Sequence, residues 1–218
     1  MGYTTEFTGF ITVTPPLNAD EIAYINKFSD TRRMHRKKGP YYVLGTGDFG
    51  QGHDADILDF NKPDPTQPGL WCQWVASEDG TQIRWNEAEK FYNAEEWMRY
   101  LIDHFLGPNG VGKGIHQHTK GAPKFTFVDH ILNGTILAQG EDEDDKWVLG
   151  VIGNTVIRTE GHADAPIIAG AQTIVVSGNP VDGLCFHGPF DTSDEATEWA
   201  EGYIGEDWWI AALEKRPD

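Results

Sequence analysis

The chain has 218 residues, of which 34 are acidic and 17 basic, for a formal charge of -17. That length suits one large domain, or a domain plus a small module, with ample chain to bury a core. The charge excludes general binding to phosphate backbones unless a local basic patch supplies it. No apolar run approaches ~18 residues and no charged-then-apolar leader opens the chain, so a soluble cytoplasmic protein with no membrane contact is expected.

Tyr3-Val13 alternates, with Phe7, Gly9, Ile11 and Val13 against Thr8, Phe10 and Thr12, which predicts a half-buried strand. After Pro15-Pro16, Asn18 and Glu21 form a capping box, Leu17 and Ile22 a candidate staple, and Ile22, Ile25 and Phe28 an apolar helical face. This helix is expected to run to about residues 31–34. The bases that follow, Arg32, Arg33, His35, Arg36, Lys37 and Lys38, complement its C-terminal dipole and are the one basic cluster in an acidic chain. Tyr41-Leu44 reads as a short strand, and a long Gly- and Asp-rich loop runs from there to Pro68.

Gln67-Leu106 holds four of the eight tryptophans and reads as strand, turn, strand, helix. Leu70-Trp74 and Thr81-Trp85 are the strands, with Glu78-Asp79-Gly80 as the turn. Asn93 and Glu96 form a second candidate capping box. Ala94, Trp97, Met98, Leu101, Ile102 and Phe105 then share one stripe, and Gly107-Pro108 ends it. His130-Gly140 is the next strand, with Asn133-Gly134 as a candidate turn. Trp147-Ile152 and Thr155-Arg158 make a hairpin closed at Gly153-Asn154. Beyond a small-residue linker, two strands, a helix opened by Thr192 and Glu195, and Trp208-Leu213 form a ββαβ unit. The expected fold is therefore α+β. A mixed, mainly antiparallel sheet with two helices on one face occupies residues 1–159, a linker 160–170, and the small module 171–218.

The motifs that could carry chemistry are each incomplete. Gly45, Gly47 and Gly50 match a dinucleotide-binding spacing, but the chain continues into a Pro-punctuated segment with no room for the helix that would hold the pyrophosphate. Gly107 to Lys113 matches a phosphate-binding loop except that Gly114 replaces the magnesium-ligating hydroxyl, and a helix precedes it in place of a strand. His116 and His118, with His130, have ligand types that suit zinc, against a background of eight scattered histidines. His53, Asp54, Asp56 and Asp59 miss the calcium-loop pattern. No nucleophile elbow is present, and Cys72 and Cys185 both read as buried free thiols. No catalytic residue set, cofactor or metal is therefore expected.

The runs GYTTEFTG at Gly2-Gly9, TRRM at Thr31-Met34, QPGLWCQW through EKFY to EWMRYLIDHFL at Gln67-Leu106, and LNGTILAQGEDEDD at Leu132-Asp145 resemble a family of small viral proteins met chiefly in bacteriophages of actinobacteria. The resemblance covers about residues 2–157 and its motifs carry no established chemistry. Extra residues around Gly110-Val128 and a shorter segment after the basic cluster depart from the family pattern. The C-terminal GPF, EATEWA and DWW motifs resemble a second short phage module, and GPF with EA is similar to peptidoglycan-binding repeats.

The resemblance implies a phage-encoded early accessory protein that binds a protein partner. In its sharpest form this is a recombination directionality factor, which redirects a serine integrase to excision. An acidic protein lacking a DNA-binding motif suits docking on a basic recombinase. The expected partner surface is Arg32, Arg33, His35, Arg36, Lys37 and Lys38. Two alternatives stand beside it. One is a nucleotide or small-ligand binder or hydrolase that counters host signalling, its site lined by Arg32, Arg33, Gly45, Gly47, Gly50, His53 and Asp54. The other is a virion component. With aromatics at strand and helix spacing, the tryptophans of Gln67-Leu106 read as core. Trp71→Ala is then expected to unfold the protein, and Arg33→Ala to leave it folded and inactive.

Overall fold

A computed structural model describes residues 2–44, 54–113, 126–161, 172–179, 183–190, 193–204 and 208–213. The fold is α+β, and the chain divides into two compact units, Met1–Ala163 and Asp164–Asp218.

In the first unit β1 (Thr5–Thr14) buries Phe7, Ile11 and Val13 and exposes the residues between them, as its alternation requires. It lies between β5 (Gln82–Trp85) and β6 (Ile131–Gly140) in a six-stranded antiparallel sheet. The order is β4 (Trp74–Ala76), β5, β1, β6, β7 (Lys146–Ile152), β8 (Thr155–Glu160). Register places Phe7 opposite Ala138 and Val13 opposite Leu132, so these side chains share a face. That face carries the core. Asn133-Gly134 is not a turn but strand interior. Gly134 has φ 144, and a Cβ there would stand 2.7 Å from the Phe10 carbonyl oxygen, so glycine lets β1 and β6 close up. Asn133 instead accepts the Gly153 amide through its side chain, tying β6 to the tip of the β7–β8 hairpin, where Gly153 and Asn154 both have positive φ.

The first helix, α1 (Ala19–Asp30), begins with the expected capping box. The Asn18 side chain accepts the Asp20 and Glu21 amides, and Glu21 Oε2 accepts the Asn18 amide at 2.8 Å. Glu21 is buried; its other oxygen accepts the Val128 amide, and His130 Nε2 lies 3.4 Å away. The helix stops at Asp30, earlier than its basic extension suggests, and Thr31 Oγ1 donates to the Lys27 carbonyl. The bases that follow do not cap it. Met34–Arg36 is a strand, β2, paired with β3 (Ile57–Pro63), which lies in the segment read from sequence as loop.

Tyr41-Leu44 is not a strand, because its neighbourhood spends backbone carbonyls on side chains. Pro40 O accepts Gln67 Nε2, Tyr41 O accepts Tyr24 Oη, and Tyr42 O accepts Arg33. The second helix, α2 (Ala94–Leu101), buries the expected stripe but widens over Ile102–Leu106 into a π-helical turn. Asn93 does not cap it. In the left-handed conformation, φ 58, its side chain reaches the Pro68 carbonyl at 2.6 Å, away from the helix amides.

Both helices pack on the buried face of the sheet in one cluster. Its centre is aromatic: the Phe7 ring meets Trp74, Trp85, Phe91 and Trp147 edge-on at 5.4–5.7 Å, and Trp74 Nε1 donates to the Ala94 carbonyl.

The second unit is the expected ββαβ arrangement: β9 (Gln172–Asn179), β10 (Gly183–Phe190), α3 (Ser193–Tyr203) and β11 (Trp208–Leu213), with antiparallel order β10, β9, β11. Val175, Ala196 and Ala200 form its core with Phe190, Trp199, Ile204, Trp208 and Ile210. Tyr203 is exposed and stacks on Trp199. Thr192 lies outside the described residues.

Candidate functional site

The basic cluster is divided between the interior and the surface. Arg33 is 2% exposed; its guanidinium donates to the carbonyls of Thr31 at 3.0 Å, Pro40 at 3.4 Å and Tyr42 at 3.0 Å, and lies 4.3 Å above the Phe28 ring. Burial lowers its pKa to about 10. Arg36 is also buried, with one nitrogen held by Asp54 at 3.1 Å and Asp56 at 3.0 Å. Burial, then the Asp54 carboxyl beside it, raises the Asp56 carboxyl above its ordinary range. Lys38 donates to Tyr42 Oη at 2.9 Å and sits over that ring. Arg32 and His35 are half-buried, and Lys37 is exposed. The reason is local: Arg36 occupies an inward position of β2 and Arg33 is buried just before that strand, so Arg36 must find carboxylates and Arg33 must find carbonyls.

The ligand-loop residues Gly45, Gly47, Gly50 and His53 lie outside the described residues, as do His116 and His118. Asp54 is described and is bound by Arg36. His130 is fully buried, its Nδ1 2.7 Å from the Pro15 carbonyl oxygen and its Nε2 facing Glu21. Among the described residues no group of three His, Cys, Asp or Glu side chains is placed to hold a metal. The phosphate-loop lookalike is a helix stop. The amides of Val111 and Gly112 donate back to Asp103 O and His104 O, and Lys113 is committed to Val128 O and the Asp129 carboxylate. Cys72 is buried but Cys185 is exposed, so only one of the two thiols has the expected setting. Burial pushes the Cys72 thiol up to about 12.

Among the described residues, a recognition surface lies at the opposite side of the Trp-rich stretch from its core. A groove of about 510 Å³ runs between the end of α1 and residues 86–92, lined by Ser29, Asp30, Trp71, Gln73, Asn86, Ala88, Glu89, Lys90 and Tyr92. Trp71 is half-buried, and among the described residues its indole makes none of the ring contacts that lock Trp74 and Trp97. Tyr92 is 54% exposed. The groove wall is held firmly. Gln73 accepts Trp85 Nε1 and donates to the Glu89 carbonyl, both at 3.0 Å, and its own carbonyl takes the Asn86 amide.

The same wall carries backbone strain. Glu87, Lys90 and Asn93 have φ 64, 61 and 58. A left-handed Glu or Lys costs roughly 1–2 kcal/mol, and such residues concentrate where a site needs them. Leu70-Trp74 is not the strand that its sequence suggests: β4 begins at Trp74, and Trp71 lies in the segment before it, outside the sheet.

A second cluster combines ionisable groups without a groove. Tyr41 Oη is 2.6 Å from His104 Nδ1, and the Tyr100 ring stacks on His104 at 3.8 Å. Burial lowers the His104 pKa and raises that of Tyr41. The π-helical turn aims His104 at this pair.

No helix among the described residues is long and apolar enough to cross a membrane. No protein-family model matches the chain, no curated protein matches its sequence, and no solved structure matches its fold.

Proposed function

We propose that this chain is a non-enzymatic accessory protein of a bacteriophage that works in the host cytoplasm by binding a protein partner, in its sharpest form a recombination directionality factor acting on a serine integrase. The observation that carries partner binding is the Trp71–Tyr92 groove: two aromatic side chains left out of the core, on a strained but well-anchored wall. Aromatic rings held at a surface supply large contact area at low entropic cost, the property that makes Trp and Tyr dominate binding hot spots. The formal charge of -17 suits a basic partner and opposes direct DNA binding. The partner surface in this reading is the groove; Arg33 and Arg36 serve the fold.

The test is co-purification of the full chain with a serine integrase, together with a DNA mobility-shift assay on the chain alone. Retention of the integrase with no shift of bare DNA supports the reading. Tight DNA binding by the chain alone, or no retention of the integrase, removes the directionality form.

A small-ligand reading has one specific observation in its favour: at about 510 Å³ the groove falls within the size range of ligand pockets. A thermal-shift screen with nucleotides and divalent metals separates the two. Stabilisation by more than ~1 kcal/mol at saturating ligand favours the small-ligand reading, and its absence across the panel removes it.

A further inference from the structure

Asp30 and Glu89 give the groove two carboxylates alongside its two rings. The Asp30 side chain is exposed and has no hydrogen bond or ion pair among the described residues. Glu89 is exposed as well, with only Lys90 Nζ at 3.7 Å, a separation at which an exposed pair contributes little. Glu87, on the same wall, is also exposed. Lys90 also lines the groove and offsets part of this charge, its stem passing within 3 Å of where a Gly2 Cβ would stand, but the carboxylates of Asp30, Glu87 and Glu89 outnumber it. Ring faces carry negative charge density and attract a cation placed over them, with Trp the strongest partner and Tyr close behind. Carboxylates at the rim supply the complementary charge and speed the encounter. A sugar would also stack on these rings, but it needs paired amides to hold its hydroxyls. Gln73, the central amide, has both ends already engaged by Trp85 and Glu89.

We infer that the groove between Trp71 and Tyr92 receives a lysine or arginine side chain from a basic segment of the partner protein. This rests on the partner-binding reading above and names the chemistry of its contact. The cation lies against the aromatic walls, and the Asp30 and Glu89 carboxylates hold the flanking positive charge.

The experiment uses the full chain and needs no integrase. An acetylated and amidated nine-residue peptide alternating Arg or Lys with Ser is titrated calorimetrically, beside a counterpart carrying Gln at every basic position and a neutral glucose oligosaccharide. Binding of the basic peptide alone is expected. Tyr92→Ala and Asp30→Asn should each weaken it about tenfold while the circular dichroism spectrum is unchanged, and Trp71→Ala should abolish it. Raising salt from 50 to 500 mM should also weaken binding several-fold. Equal binding of the Gln peptide, binding of the oligosaccharide in place of the peptide, or peptide binding that survives both Trp71→Ala and Tyr92→Ala would each overturn the inference. Failure of the broader reading shows differently. If the integrase is not retained but the peptide binds through Trp71, the groove chemistry stands and the recombinase partner falls. If the integrase is retained equally by Trp71→Ala, the reading stands and the groove inference falls.

Discussion

Arg33 and Trp71 make opposite use of their residue types. Arg33, a cation in a run of bases, is among the most deeply buried side chains of the first unit, with its guanidinium donating to three carbonyls beneath the 40–44 segment. Trp71, a large aromatic in a run of core tryptophans, stands at the edge of a groove. The contrast teaches that burial follows the partners a position can reach rather than the polarity of the side chain. A guanidinium has five donors in a fixed fork, so a loop with carbonyls to spare can take it into the interior. An indole in the segment just before β4, half-buried at a groove edge, has no such alternative.

The largest expected effects test this contrast directly. Arg33→Ala removes the donor from the Thr31 and Tyr42 carbonyls, leaves Pro40 O to Gln67 alone and empties a large volume, so it should destabilise the first unit by at least ~3 kcal/mol in urea unfolding. Trp97→Ala, in the centre of the core, should cost a similar ~3–5 kcal/mol. Trp71→Ala should cost only ~1 kcal/mol, with an unchanged circular dichroism spectrum. A Trp71→Ala loss as large as that of Trp97→Ala would break the comparison and return Trp71 to the core. These outcomes reverse the sequence-based expectation for both residues.

Cys72 adjoins Trp71 and sharpens the same point. Buried, with its thiol pushed up to about 12, it should resist a thiol reagent at pH 8, while the exposed Cys185 reacts promptly. Because Trp71 does not cover the core, Trp71→Ala should leave Cys72 protected. Rapid labelling of two thiols in that variant would show that the indole seals the interior.

The His104 cluster gives a smaller, pH-dependent effect. Burial lowers its folded pKa below the unfolded value near 6.5, so between those two values the unfolded chain binds more protons. Stability contributed by the neutral imidazole is complete above about pH 6.5 and declines as pH falls towards the folded pKa. His104→Asn should therefore flatten the stability profile over that window, measured by urea unfolding at several pH values. An identical slope in the variant would show that His104 is not responsible. The smallest effect is at the groove wall. Glu87 is exposed with φ 64, so Glu87→Gly should relieve strain and stabilise the chain by ~0.5–1 kcal/mol. A loss of stability would mean that the left-handed turn is held by contacts of the Glu87 side chain.

Much of the fold was legible because it is written in short-range patterns. The Asn18–Glu21 box, the α2 stripe, the β1 alternation and the Gly153–Asn154 hairpin each need only neighbouring residues to be read. The failures share a different cause. Asn93 has capping-box spacing, but Pro68 competes for its side chain across 25 positions. Gly134 looks like a turn, yet the close approach of Phe10 makes it strand. The pairing of β2 with β3 joins two segments whose own sequences show neither strand alternation nor a connecting turn signal.

By itself the sequence determined the elements whose hydrogen bonds and apolar faces close within a few residues, and with them the α+β class and the acidic surface. The tertiary structure alone decided which carbonyls would meet Arg33, which carboxylates would meet Arg36, and which of the tryptophans would be left facing water. Those outcomes depend on partners far away in the chain. A buried polar group is tolerated only where such partners converge, and an aromatic ring becomes a binding surface only where the core has no space for it.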